Sequence, residues 1–241
     1  MPQISPYFQT DAITLYHANC IDAMKGMDDR SVDLVLTDPP YSEKTHAGAR
    51  SCATQTANRK PHDAKKAIDF SSISESDFAT CFDEIGRVAK RWVIATIDWR
   101  YMHLLEEAPP QNLRFVRFGI FDKPNGAPQF TGDRPGTGWE AIAMLHRTDA
   151  KLRWNGGGKR SVYRHNIDSS GIHPTAKPLS LYSELIQLFS DPNDVVFDPF
   201  AGSGASLRAA ADLGRRAIGV ELSPQYIEVA ARRCQQLALF S

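Results

Sequence analysis

The sequence predicts an α/β fold: a doubly wound, mostly parallel sheet with helices on both faces. Three observations carry that expectation. Short runs of β-branched and aliphatic residues alternate with stretches of helical spacing along most of the 241 residues. The last third is the most regular, with strand, helix, strand and helix following one another from Val195 to Leu237. Two of the apolar runs end on an acid, Asp38 and Asp198, that opens a turn rich in proline or glycine. Strands buried on both faces read as continuous apolar runs, and their parallel pairing needs intervening helices.

Taken in order, Ile13–His17 and Val32–Thr37 predict short buried strands, joined by a turn or short helix around Ile21–Met27. A polar stretch without period runs from Pro40 to about Ser72, longer than ordinary connections and therefore a place to look for function. Ser74, followed by apolar spacing through Phe78, Phe82, Ile85 and Val88, predicts a capped amphipathic helix. Trp92–Ile97 predicts a buried strand, Tyr101–Ala108 a helix and Leu113–Phe121 another strand. Pro124–Gly138 is rich in glycine and proline and predicts an irregular loop; Glu140–His146 is strand-like. Helices are expected at Leu179–Phe189, Ala205–Leu213 and Pro224–Leu237, with strands at Val195–Asp198 and Ala217–Glu221.

This length suits one domain with a substantial core. No apolar run reaches membrane-spanning length, so a soluble, cytoplasmic protein without a membrane partner is expected. Cys20, Cys52, Cys81 and Cys234 are scattered, without C-x-x-C pairs or a clustered histidine, and indicate neither a metal site nor a disulfide framework. Lysine plus arginine equals aspartate plus glutamate at 28 each, so total charge points to no polyanionic partner. The distribution is more informative. Between Ser42 and Ile68 stand Lys44, Arg50, Arg59, Lys60, Lys65 and Lys66 against only Glu43 and Asp63. Lys151 to Arg164 holds Lys151, Arg153, Lys159, Arg160 and Arg164 and no acid. On composition alone these are solvated loops.

The segment from Val195 to Gly204 puts glycines between a strand end and a helix start, where the backbone can approach a ligand closely. Glu221 ends the next strand, where a carboxylate can take both hydroxyls of a ribose. Only Gly202 and Gly204 of the dinucleotide pattern are present, and Asp198 in the turn would repel a pyrophosphate. S-adenosylmethionine carries no phosphate and has a cationic methionyl amine, so an acidic glycine loop suits it better.

Asp38-Pro39-Pro40-Tyr41 follows directly on a strand. Two prolines remove two backbone donors and fix φ, which leaves the preceding carbonyls free to accept hydrogen bonds. A carboxylate and a prolyl carbonyl can accept both N–H bonds of a base's amino group, while the Tyr41 ring stacks on the base.

Here the chain resembles the DNA amino-methyltransferases. Asp38-Pro39-Pro40-Tyr41 is similar to their catalytic motif IV, and Asp198-Pro199-Phe200-Ala201-Gly202-Ser203-Gly204 to their cofactor motif I. Motif IV stands first, the circularly permuted order of the family's β class. His173-Pro174-Thr175-Ala176-Lys177-Pro178 resembles motif X, and Phe118–Glu140 resembles motifs VII and VIII. His17-Ala18-Asn19-Cys20 stands where the family has a Gly-Asp-Cys run that approaches the cofactor's adenine, and departs from it at Ala18 and Asn19.

The resemblance implies a Rossmann-like methyltransferase fold in one catalytic domain, residues 1–241, with DNA-contacting insertions at 42–72 and 148–172. The implied reaction is site-specific methylation of N6 of a flipped-out adenine in double-stranded DNA, with S-adenosylmethionine as cofactor and no metal. Asp38, Pro39, Pro40 and Tyr41 are the expected catalytic residues. Asn19, Cys20, Asp38, His173, Thr175, Lys177, Asp198, Phe200, Gly202, Ser203, Gly204, Glu221 and Leu222 are expected around the cofactor. Lys44, Arg50, Arg59, Lys60, Arg153, Lys159, Arg160 and Arg164 are expected on DNA, because residues 148–172 are too few for a separate recognition domain. A bacterial or phage origin near the nucleoid follows from the same resemblance, which also leaves a homodimer open. The alternatives are N4-cytosine methylation, associated in the family with Ser in place of Asp38, and a silent DNA-binding subunit. RNA or protein-glutamine methylation is a further rival, against which the permuted order and motif X speak.

Overall fold

The computed structural model describes residues 5–42, 73–126, 129, 132–167 and 177–235. In chain order these form β1 (Phe8–Gln9), β2 (Ile13–His17), α1 (Cys20–Lys25), β3 (Val32–Thr37), α2 (Glu75–Val88) and β4 (Ala89–Ile97). A 3₁₀ turn (Trp99–Tyr101) leads into α3 (Met102–Glu107), β5 (Leu113–Asp122), β6 (Trp139–Arg147) and β7 (Val162–Arg164). The last third is α4 (Leu179–Phe189), β8 (Val195–Asp198), α5 (Ala205–Asp212), β9 (Arg216–Glu221) and α6 (Pro224–Gln235).

The nine strands make one sheet in the order β1-β2-β9-β8-β3-β4-β6-β5-β7. Five neighbouring strands, β2, β9, β8, β3 and β4, are parallel. β3 lies between β8 and β4, and its residues are divided between the two faces by the pleat from Leu34 onward, with a register shift between Val32 and Leu34. Leu34 and Leu36 join a core with Leu181, Leu185 and Phe189 of α4, Leu207 of α5 and Ile227 of α6. Val32 and Val35 join the opposite core with Met24 of α1, Phe78, Phe82 and Ile85 of α2 and Leu105 of α3. Helices on both faces are thus the consequence of strands that carry apolar side chains on both sides of the sheet.

The expected elements are present, with differences that have local causes. α2 begins where Ser74 predicts it, since the Ser74 hydroxyl accepts from the Asp77 N–H at 3.1 Å. β4 begins three residues earlier than its apolar run, because Ala89 pairs with Val32 while Lys90 stays exposed. The Tyr101–Ala108 segment is shorter as an α-helix, its start being wound as a 3₁₀ turn capped by Asp98. β6 enters antiparallel between β4 and β5, because it returns from β5 through a single loop. β7 was not expected. It takes three residues of the second basic stretch to the sheet edge, with Val162 beside Ile120, and its periodicity is too short to show in sequence.

Leu34 is fully buried at the centre of this arrangement. Leu34→Ala should lower unfolding free energy by about 2–5 kcal/mol, read from urea denaturation midpoints at unchanged m.

Candidate active site

The parallel strands end along one edge of the sheet, which brings together His17, Glu221, Asp198, Thr37 and Ile97. β6 runs the other way, so its first residues, Trp139 and Glu140, reach the same edge. β5 ends there too, followed by Lys123. Ligands of doubly wound sheets lie across this edge.

The glycine loop leaves β8 with Gly202 at φ 51° and Gly204 at φ 76°. A Cβ on Gly204 would stand 3.1 Å from both Cα and Cβ of Ala230 in α6, so conformation and space both require glycine there. Glu221 holds the loop from the neighbouring strand. Its Oε2 accepts from the Gly202 N–H at 2.8 Å and its Oε1 from the Ser223 N–H at 2.7 Å. Each oxygen keeps an acceptor position for a hydroxyl. Burial pushes the Glu221 carboxyl above the usual range, against those backbone hydrogen bonds.

Asp198 is 1% exposed. Its Oδ1 accepts from the Thr37 hydroxyl at 2.7 Å and the Phe200 N–H at 3.0 Å, and its Oδ2 accepts from the Ser206 hydroxyl. Expected to face a methionyl amine, it uses three of its four acceptor positions to bind the end of β3, the glycine loop and α5 together. Burial raises its carboxyl to about 6, although the hydrogen bonds from Ser206 and Thr37 oppose the rise.

Asp38 follows Thr37. Its Oδ1 accepts from the Thr96 hydroxyl at 2.5 Å and its Oδ2 from Lys177 Nζ at 2.5 Å. The Lys177 side chain is 6% exposed, and its ammonium also lies 3.1 Å from Glu140 Oε2. Glu140 Oε1 accepts from Lys123 Nζ at 2.8 Å, and the Tyr41 hydroxyl donates to Glu140 Oε2 at 3.0 Å. Carboxylates and ammoniums thus alternate as Asp38, Lys177, Glu140, Lys123, with Lys177 Nζ 5.4 Å from the Tyr41 ring centre.

Their protonation follows from this geometry. Burial raises the Asp38 carboxyl, with Lys177 pulling it down and Glu140 adding to the rise. Burial also acts on Glu140, but Lys177 and Lys123 outweigh it and hold the group at about 2. Lys177 is held above the ordinary lysine range because Asp38 and Glu140 overcome its desolvation. Burial, Glu140 and Asp38 push the Tyr41 hydroxyl well up, so it remains a donor.

Several expected residues also have partners within the protein. The Asn19 side chain caps α1, accepting from Ile21 N–H at 2.9 Å and Asp22 N–H at 3.4 Å. Cys20 is hydrogen-bonded to Cys81 of α2. Ser203 accepts from Arg233 at 2.9 Å, Phe200 packs against the core beneath α1 and α2, and Leu222 is 61% exposed beside the glycine loop. Pro39 is buried and Pro40 half-buried. His173 and Thr175 lie outside the described residues, as do Lys44, Arg50, Arg59 and Lys60. Of the second basic group, Arg153 pairs with Asp191 at 3.4 Å, Arg164 with Asp122 at 2.7 Å and Lys159 with Glu184, while Arg160 is exposed. Thr96, Lys123 and Glu140 were not foreseen. Their only signals are a hydroxyl inside the WVIATI run and two charges flanking the glycine-rich loop. Among the described residues, no group of three or more His, Cys, Asp or Glu could hold a metal ion.

Comparison with known proteins gives the family. Residues 32–232 match the sequence profile of the DNA methylase family of N6 and N4 methyltransferases. The chain belongs to that family. The type II methyltransferase M2.MboI of Moraxella bovis is 26% identical over 98% of this chain and 93% of its own length. Two solved structures share the fold: the M1.HpyAVI–SAM complex at TM-score 0.69 and 20% identity, over 92% of this chain and 99% of that one, and the cytosine-N4-specific PvuII DNA methyltransferase at 0.71 and 14%, over 95% and 89%.

As in any buried carboxyl with a raised value, the folded form of this methylase holds the Asp198 proton more tightly than the unfolded chain. Its contribution to stability therefore falls as pH rises from the ordinary 3.8 through about 6. Wild-type stability minus that of Asp198→Asn should decrease across this window in urea titrations at stepped pH; a flat difference refutes the assignment.

Proposed function

We propose that this DNA methylase transfers a methyl group from S-adenosylmethionine to N6 of an adenine turned out of double-stranded DNA at a specific site. The observation that carries the reading is Asp38. A carboxylate opens the tetrapeptide, where the cytosine enzymes of the family more often have Ser, and it is fixed between Thr96 and Lys177 beside the glycine loop.

Bound S-adenosylmethionine supplies an electrophilic methyl group. The residues present fit it: Glu221 keeps an acceptor position on each oxygen for the ribose hydroxyls, Leu222 offers an exposed apolar face, and the loop through Gly202 and Gly204 has room for close approach. Asp38 has one acceptor position left on each oxygen, and it receives an N–H of the amino group. Withdrawing that proton density frees the nitrogen lone pair from the ring. With methyl transfer the sulfonium's S–CH3 bond would break and leave a neutral thioether as the N–C bond forms; the nitrogen would then release a proton, and Asp38 is placed to take it. The Pro39 carbonyl, in a turn without competing N–H donors, accepts the second N–H. Tyr41 stacks on the base, its ring held by the hydroxyl bond to Glu140. Positioning in a site closed to water supplies most of the acceleration. A single catalytic domain with DNA contacts from 42–72 and 148–172 completes the reading, and Arg160 is the best-placed cation of the second segment.

Nucleoside mass spectrometry of DNA from cells expressing the protein should show N6-methyladenine, and N4-methylcytosine as the main product overturns the base assignment. Asp38→Ala should abolish transfer while DNA binding persists. Glu221→Ala should weaken cofactor binding in calorimetry without loss of folding.

The acid limb of the rate profile reports Asp38 in its charged form. Lys177→Met removes the cation that favours this charge, so the limb should move to higher pH; an unmoved limb shows that the pair does not govern the carboxylate.

A further inference from the structure

Two tryptophans stand exposed at the sheet edge that carries Asp38. Trp99 is 54% exposed and Trp139 is 40% exposed, whereas Trp92 is 5% exposed and Trp154 packs against the core. Their placement is shared. Ile97 of β4 pairs with Ala141 of β6; Trp99 lies two residues beyond Ile97 and Trp139 two residues before Ala141. Both therefore sit beyond the same rung of the sheet, on the edge where Thr96 holds Asp38 and where Glu140 meets Lys177.

Trp99 is held rigidly in its exposed position. The residue before it, Asp98, is 3% exposed and accepts from the Ser42 N–H at 3.3 Å and its hydroxyl at 2.5 Å, directly after the catalytic tetrapeptide. Two residues after it, Tyr101 is 5% exposed, and its hydroxyl donates to the Ile73 carbonyl at 2.6 Å. The Arg100 guanidinium covers one side of the Trp99 ring at 4.6 Å. A large aromatic surface kept in solvent between two buried anchors marks a contact surface.

We infer that Trp99 and Trp139 stack on DNA bases beside the nucleotide that enters the Asp38 pocket. This rests on the methylase reading. An indole presents a π-face to any base, so the contact gives affinity without sequence preference. A base leaving the duplex exposes the faces of its former neighbours, and two rings held beyond the same rung, on the edge that carries Asp38, are placed to cover them.

The test uses the full chain, radiolabelled S-adenosylmethionine and sheared genomic DNA free of N6-methyladenine. Trp99→Ala and Trp139→Ala should each raise KM for DNA about tenfold, with the cofactor dissociation constant and kcat little changed, and Trp→Phe at each position should restore most of the loss. DNA should quench the fluorescence of wild type, and the quench should vanish in the double Phe variant, which keeps Trp92 and Trp154. An unchanged KM and an undiminished quench overturn the inference while leaving the methylase reading intact. A lower subunit mass by light scattering with unchanged DNA affinity also overturns it and makes this edge a contact between copies of the chain. A wild type that neither binds nor methylates this DNA overturns the methylase reading itself.

Discussion

The hydrogen bond from Thr37 to Asp198 joins two residues 161 positions apart, and the chemistry of the edge depends on it. Thr37 is the last residue of β3 and precedes Asp38; Asp198 is the last of β8 and precedes the glycine loop. β3 and β8 are neighbours, paired through Leu34 with Val196 and Val35 with Phe197. Parallel pairing makes the strands end together, and the Thr37–Asp198 bond fixes how the two turns above them stand relative to one another. In the proposed reaction the methyl donor lies on one turn and the acceptor on the other, so a small error in this junction would be felt in rate before it was felt in stability.

Around that junction the protein keeps four charges largely out of water. Burying ions is costly, and a pair seldom recovers more than the desolvation it incurs. Alternation is what makes this row tolerable: Lys177 lies between two carboxylates, Glu140 between two ammoniums, and Thr96 and Tyr41 satisfy remaining positions. The row also fixes geometry that apolar packing could not, since the residues come from the ends of β3, β5 and β6 and from the approach to α4. A cation in contact with Asp38 opposes the effect of burial and favours the charged carboxylate that an amino group requires.

Much of the architecture was legible in the sequence because strands buried on both faces leave long apolar runs, and because caps such as Ser74 act locally. The two strands missed, Phe8–Gln9 and Val162–Arg164, are held by their neighbours and carry no periodicity of their own. In the site, residues carried by turn chemistry were visible: two prolines after Asp38, two glycines after Asp198. Glu140 and Lys123 were not, since they meet Lys177 and each other only when β6 folds back antiparallel, and Thr96 was not, since it meets Asp38 only through the parallel pairing of β4 with β3. Lys177 shows the intermediate case. Its neighbourhood was readable from the prolines around it, but its partner lies 139 residues away and is revealed only by the sheet. Likewise Asn19 and Asp198 have polar side chains suited to a ligand, and the fold engages them in capping a helix and bracing a loop.

The contact between Gly204 and Ala230 places a control on the cofactor loop at a distance from it. Ala230 belongs to the last described helix, is fully buried and lies against the loop's left-handed glycine. Arg233, one turn further along, reaches Ser203 in the same loop. The loop's height above the sheet is thus set by side-chain size on a helix that contributes nothing to the pocket walls described above. In an evolving lineage or an engineering campaign, the conformation of this loop would be adjustable by repacking positions 230 and 233, without substituting any residue of the loop itself.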